Sequence, residues 1–235
     1  MGTGKLRISQ CMIVKNEEKN IERALSWGKE IMWEQIVVDT GSTDRTVEIA
    51  EQMGAKIYHF DWIDDFAAAK NFAIEQASGD WIAFLDADEY MLPEDTQKLP
   101  SVIKKAHKAK MDILFSLWLQ VGDTQMVDMA ARQCRIFRNT PRIRYQEPIH
   151  EQLTYNGGSI DGHTMDAVSG GGTLSIYHTG YTSEVSDQKS KRNIHILLKE
   201  QVKRPEDPDV MGYLGDAYKG LDDKEEAKQA ADWYR

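Results

Sequence analysis

The run Trp81-Ile82-Ala83-Phe84-Leu85 is apolar at every position and ends on Asp86-Ala87-Asp88. A strand with no polar face is buried on both sides, as in a parallel sheet covered by helices. Carboxylates at the carboxyl end of such a strand lie where open α/β sheets bind their ligands. Residues i and i+2 share a face, so Asp86 and Asp88 can address one ion or one ligand. Hard oxygen donors suit Mg²⁺ or Mn²⁺, ions that usually also hold substrate phosphates. The feature points to a metal-held nucleotide on an α/β sheet.

The first half of the chain repeats strand and helix. Residues 7–14, 35–39 and 56–60 read as buried strands. Asn16-Glu17-Glu18 is expected to open a helix with a capping residue and first-turn acids. Asp44 is expected to cap a second helix, and residues 64–78 carry the apolar spacing of a third. Pro93 and Glu94 start a fourth. This β-α-β-α-β-α-β order predicts a Rossmann-like parallel sheet. G-x-G-x-x-G is absent after the first strand, which disfavours a dinucleotide.

The pattern changes after Asp112. Ile113–Val121 and Gln125–Asn139 alternate around Gly122-Asp123-Thr124 and read as a hairpin. Pro141–Tyr145 continues extended, a Gly-rich loop spans Asn156–Gly172, and Thr173–His178 reads as a last strand. Residues 184–204 read as a long helix with a basic face. Arg204-Pro205-Glu206-Asp207-Pro208 breaks it, and two short helices are expected to meet near Gly220.

With 235 residues and a net charge of −9, the chain has room for one large domain and an appendage, and its interspersed charges disfavour a nucleic-acid partner. No apolar run approaches the ~18 residues of a membrane span. Met1–Lys5 carries no signal-peptide pattern, so a cytoplasmic location is expected. Cys11 and Cys134 are unclustered and read as buried, reduced thiols.

Taken together, Cys11–Glu18, Ile36–Asp44, Ala69–Phe72, Ser78–Asp88 and Ile149–Glu151 resemble the family 2 glycosyltransferases of GT-A fold. The resemblance covers roughly residues 7–180. Tyr177–Tyr181 and Lys189–Asn193 narrow it to a subgroup that includes bacteriocin-peptide S-glycosyltransferases. In that subgroup tetratricopeptide repeats follow the catalytic domain. Met211, Leu214, Gly215, Tyr218 and Ala227 fit the first helix pair of one repeat. The resemblance implies a GT-A, mostly parallel sheet with a small antiparallel extension over 1–183. A linking helix (184–204) and a short tetratricopeptide-like helix pair (205–235) would follow. One repeat cannot bury its own stacking face, so the chain is expected to be a truncation.

The same resemblance assigns roles. Val14, Asn16 and Glu17 would line base and ribose, and Asp39 would accept a hydrogen bond from the base. A plain loop cap is the other reading of Asp39, and a capping role that of Asn16. Lys70 and Asn71 would face the diphosphate, with a solvated helix face as the alternative. Asp88 would bind the metal directly, and Asp86, followed by Ala87, would contact ribose or the metal through water. His178 would be a further metal ligand. Inverting transfer needs a base on the acceptor, and Glu151 stands at that position, with His150 beside it to orient or bind. Thr154 replaces the second His of His-Glu-x-x-His, which excludes a zinc protease. Lys191 and Arg192 would close over the diphosphate or simply solvate their helix. Trp118, Tyr145 and Tyr155 are candidates for stacking on sugar or acceptor, or for core packing, and Arg132, Arg135, Arg138, Arg142 and Arg144 for contacting the acceptor or for solvating the sheet.

The expected activity is a metal-dependent inverting glycosyltransferase. It would use Mn²⁺ or Mg²⁺ and a nucleotide-diphosphate sugar, a UDP-sugar first, to modify a peptide or protein acceptor. The repeats of a longer protein could also make a homo-oligomer. Three alternatives stand: a lipid-linked or polysaccharide acceptor, an idle GT-A module serving as a scaffold, and a nucleotidyltransferase. Lys15-Asn16-Glu17-Glu18 lacks the Gly-rich loop of the last.

Overall fold

The computed structural model describes residues 6–122, 126–167, 174–179 and 183–221, the side chains of 183–188 excepted. Two compact units divide the chain: 1–147 with 151–180, and 148–150 with 181–235.

The first unit alternates β1 (Ile8–Val14), α1 (Ile21–Ser26), β2 (Glu34–Asp39), α2 (Thr46–Gln52), β3 (Lys56–His59), α3 (Phe66–Glu75) and β4 (Trp81–Phe84). It continues through β5 (Glu89–Tyr90), α4 (Pro93–Ala109), β6 (Ile113–Val121), β7 (Val127–Arg138), β8 (Ile143–Gln146), β9 (Gln152–Tyr155), β10 (Thr164–Asp166) and β11 (Ser175–His178). The main sheet runs β3-β2-β1-β4-β7-β6-β11-β5, with β10 also on β6. Strands β3, β2, β1 and β4 are parallel, and β7 joins β4 and β6 antiparallel. β8 and β9 form a separate antiparallel pair. This is the expected fold class, a mostly parallel sheet with a small antiparallel extension.

β4 shows why an all-apolar run was needed. Trp81, Ala83 and Leu85 pack beneath Leu99, Val102, Ile103 and Ala106 of α4. Ile82 and Phe84 pack on the other side with Ala73 and Ile74 of α3. Each large side chain so buried contributes about 1.5–3 kcal/mol. The strand's register leaves its next residues, Asp86 to Asp88, at the sheet edge.

Three local expectations are corrected. The helix expected at Asn16 begins at Ile21. Asn16 is left-handed at φ 57°, a conformation Asn tolerates, and its side chain accepts from Thr43 N–H at 2.8 Å. The N–H groups of Asn16, Glu17 and Glu18 donate to Ser42, Thr46 and Asp44, so the facing loop claims the segment. α3 is shorter than 64–78, because Asp65 caps it by accepting from Ala68 N–H at 2.8 Å. The region read as one Gly-rich loop contains β10, while its residues 168–173 lie outside the description. Strands of two to four residues such as β5, β9 and β10 are too short to show a period.

In the second unit, α5 (Ser183–Lys203) stops before Pro205 and packs against α6 (Pro208–Lys219). Ile194 and Leu197 are buried, as are Val210, Leu214 and Gly215. Asp207 caps α6 by accepting from the N–H groups of Asp209 and Val210. Met211 and Tyr218 are half-buried, and Ala227 lies outside the described residues.

A polar knot ties the amino ends of the strands. The Glu34 side chain accepts from Ser9 Oγ at 2.6 Å, Ser78 N–H at 2.6 Å and Lys56 Nζ at 2.6 Å. Gly79 is required beside it, since a Cβ there would lie 2.8 Å from the Ser9 backbone nitrogen. Burial alone would raise the Glu34 pKa, but hydrogen bonds from Lys56, Ser9 and Ser78 outweigh it and hold it at about 2, below its ordinary 4.5. A depressed folded-state pKa stabilises above the unfolded value and loses that stabilisation as pH falls through the folded one. Stability is therefore expected to drop between pH 4.5 and about 2. Denaturant melts at stepped pH should show this slope, and Glu34→Gln should flatten it.

Candidate active site

The carboxyl ends of β1, β2 and β4 form one edge. Val14 and Asp39 are register partners ending β1 and β2. Asp39 is buried and accepts from Gly41 and Ser42 N–H at 3.2 and 3.0 Å, with His59 Nδ1 at 3.5 Å. Its cap of the 41–42 turn is thus present. Asn16 bonds across to the same loop, and Glu17 accepts from Asn20 at 2.8 Å.

Beyond β4, a chain of charges is assembled. Lys70 projects from α3 past the small Ala67 and Ala69 and is almost wholly buried. Its Nζ lies 2.6 Å from Glu151 Oε1 and 3.3 Å from Asp86 Oδ1. It also lies over the Phe84 and Tyr145 rings at 5.3 and 5.2 Å. Burial would strip the lysine of its charge, but Asp86 and then Glu151 outweigh that and hold its pKa above the ordinary value. Burial likewise pushes the Asp86 pKa up, and Lys70 and Arg135 outweigh it, holding the carboxyl well below the usual range.

Arg135 and Glu89 complete this chain. Arg135 Nη2 lies 3.2 Å from Asp86 and 2.7 Å from Glu89 Oε1. Trp118 Nε1 donates to the same Glu89 oxygen at 2.7 Å, and Asp86 N–H donates to Glu89 Oε2 at 2.9 Å. The Glu89 side chain is fully enclosed, and burial pushes its pKa up against the pull of Arg135. Arg135 is the extra residue of a β-bulge: Leu114 opposes Ile136, yet Phe115 opposes Cys134. A regular pleat would send Arg135 to the side of Phe137; the bulge turns it towards Trp118 and the acids. Breaking a buried ion pair from one side costs about 3–5 kcal/mol. Arg135→Met is expected to lose stability of that order in chemical denaturation, and Glu89→Gln with Arg135→Met should recover part of it.

On the other side of the edge, Asp88 Oδ2 and His178 Nε2 lie 3.2 Å apart. The His178 ring packs 4.8 Å from that of Trp118, and Thr179 N–H donates to Asp88 C=O at 3.1 Å. A carboxylate oxygen and a neutral imidazole nitrogen are acceptable donors for Mn²⁺, less so for Mg²⁺. Among the described residues no three His, Cys, Asp or Glu side chains form a closed cage. Nucleotide-site cations ordinarily take only one or two carboxylates, with phosphate and water completing the shell. Asp88 and His178 therefore fit such an ion, while Asp86 is already matched to Lys70 and Arg135.

The other candidates separate. Asn71 accepts from Tyr145 N–H and donates to Tyr145 C=O, both at 2.9 Å. Its amide acts as a strand partner for β8, not as a group aimed at a ligand. His150, in the second unit, stacks on Tyr213 at 4.0 Å. Lys191 and Arg192 are exposed on α5 of that unit. Trp118 and Tyr145 are core residues, and Tyr155 stacks on His163 at 3.5 Å. Both thiols are free, and burial pushes each pKa up, that of Cys134 to about 12. A cleft of about 630 Å³ opens beside Glu151, bordered by residues 132–135 and 151–154.

The family model for glycosyl transferase family 2 matches residues 9–159, and the chain belongs to that family. It is 30% identical over 221 residues to the SPbeta prophage-derived glycosyltransferase SunS of Bacillus subtilis, covering 92% of this chain and 50% of that protein. It is 42% identical over 151 residues to a TPR repeat-containing protein of Synechococcus elongatus, covering 64% of this chain and 36% of that one. The chain thus spans half or less of these relatives' length. Its fold matches the crystal structure of S. aureus TarS 1-349 in complex with UDP, with a TM-score of 0.54 at 16% identity over 97% of this chain and 70% of that one.

Proposed function

We propose that this glycosyltransferase moves a sugar from a UDP-sugar, with inversion, to a peptide or protein acceptor. The observation that carries the reading is one continuous set of charges at the carboxyl edge, from Glu151 through Lys70 and Asp86 to Arg135, with Asp88 and His178 alongside. Asp39, Val14, Asn16 and Glu17 take the base and ribose. Lys70 supplies positive charge towards the diphosphate while its salt bridge fixes the Glu151 carboxylate. Glu151 accepts the proton of the attacking acceptor group. Asp88 and His178 would hold Mn²⁺ or Mg²⁺, which when bound would offset charge on the departing nucleoside diphosphate.

UDP is favoured because the TarS structure of like fold was solved with it. A peptide or protein acceptor is favoured by the α5–α6 pair and by a relative named for its TPR repeats, since stacked helical repeats make concave binding surfaces. Calorimetric titration with UDP and GDP in the presence of Mn²⁺ tests the donor side. UDP is expected to bind at least tenfold more tightly; equal affinities, or no binding of either, contradict the assignment.

A further inference from the structure

The cleft beside Glu151 is bordered by residues of two strands, β7 and β9. Arg132, Gln133, Cys134 and Arg135 border it from β7, and Glu151, Gln152, Leu153 and Thr154 from β9 and the residue before it. β4 pairs with β7 only at residues 136–138, and β6 occupies the other side of β7. β9 pairs with β8 alone. Among the described residues, neither β7 before Ile136 nor β9 has a second strand partner.

The direction of the backbone groups follows from their neighbours. Gln133 C=O accepts from Ser116 Oγ at 3.1 Å, so it points towards β6. In an antiparallel ladder the N–H and C=O of one residue point the same way, and successive residues alternate. Arg132 and Cys134 therefore turn theirs to the open side. On the facing wall, Tyr145 sends both its groups outward to Asn71, so its ladder partner Leu153 sends its own away from β8. Tyr155, two residues on, confirms the sense by exchanging hydrogen bonds with Gly158 at 3.1 Å. The side chains of the cleft offer no net charge to read: Arg132 is tied to Asp166 at 3.0 Å and Arg135 to Glu89. Phe115, Tyr145, Leu153 and Ile160 line the rest.

We propose that this cleft holds the acceptor as an extended peptide segment, added by backbone hydrogen bonds to the open edge of β7 between Arg132 and Cys134. This rests on the glycosyltransferase reading above. Outward groups two residues apart match the spacing of an added strand. Four residues of β7 at ~3.3 Å each span ~13 Å, enough for a short strand whose modified side chain comes up to Glu151. Recognition by backbone gives affinity with little sequence demand, so several peptide sequences should serve.

The test uses a randomised heptapeptide library with a central Cys or Ser, a UDP-sugar that the protein hydrolyses, and Mn²⁺. The best substrate is then N-methylated one backbone position at a time. The expected result is a rise in KM of tenfold or more at alternate positions only, with slowed amide exchange of segments 126–137 and 150–156 when peptide is present. A uniform N-methyl response, or unchanged exchange in both segments, overturns the strand-addition mode. UDP release stimulated by saccharides but by no peptide overturns the peptide assignment and leaves the donor reading standing. No release from any donor overturns the donor reading and this inference with it.

Discussion

Asp88→Ala is expected to lower UDP release from a UDP-sugar by about a thousandfold, because charge neutralisation by a bound cation supplies several kcal/mol and each 1.36 kcal/mol is tenfold in rate. Under the proposed function the ion is held by Asp88 and His178, whose Oδ2 and Nε2 lie 3.2 Å apart. Removing it leaves the Lys70–Asp86–Arg135 cluster whole, so the fold should persist and thermal melting should change little. His178→Ala should give the smaller loss, since the remaining carboxylate still binds a hard cation. Steady-state UDP release over a Mn²⁺ titration measures both. An Asp88→Ala protein that releases UDP at the wild-type rate at the same Mn²⁺ concentration removes the metal assignment.

Glu151→Gln is expected to keep UDP affinity within a few-fold and to lose transfer by about 10²–10⁴, the usual worth of a positioned general base. The substitution preserves shape, and the Gln carbonyl can still accept from Lys70, which sits 2.6 Å from the native carboxylate. What it removes is the proton acceptor. The outcome separates two roles that the same salt bridge allows. If Glu151 serves only to place Lys70, the glutamine variant should transfer nearly normally and Glu151→Ala should not. If it is the base, both should fail in transfer while both bind UDP. Single-turnover product formation alongside calorimetric UDP binding distinguishes these.

Much of the fold and part of the candidate site are legible in the sequence, and the reason is physical. Strands buried on both faces must be apolar throughout, so the first polar residues after them stand out. Asp39 after Ile36–Val38, and Asp86 after Trp81–Leu85, are visible for that reason. Lys70 is legible because three alanines beside it allow close approach to the sheet. Arg135 and Glu89 are not. Arg135 is one of several arginines in an alternating strand, and only a bulge, which leaves no period behind it, turns it to the acids. Glu89 carries no sequence mark of burial, yet Trp118 and Arg135 enclose it. Asn71 is hidden for a related cause: its partner, the Tyr145 backbone, is 74 residues away in sequence. Asn16 likewise answers to the loop at 42–46 and not to its own local helix preference. Local pattern identifies what is buried, but contacts between distant segments decide which polar groups remain available.

The most direct test of the account is UDP release by the unmodified protein from a panel of UDP-sugars, with Mn²⁺ and after chelation. Release is expected from one or a few sugars, lost on chelation and restored by Mn²⁺ better than by Mg²⁺. Release that continues undiminished in chelator, or no release from any UDP-sugar with or without peptide, would contradict it.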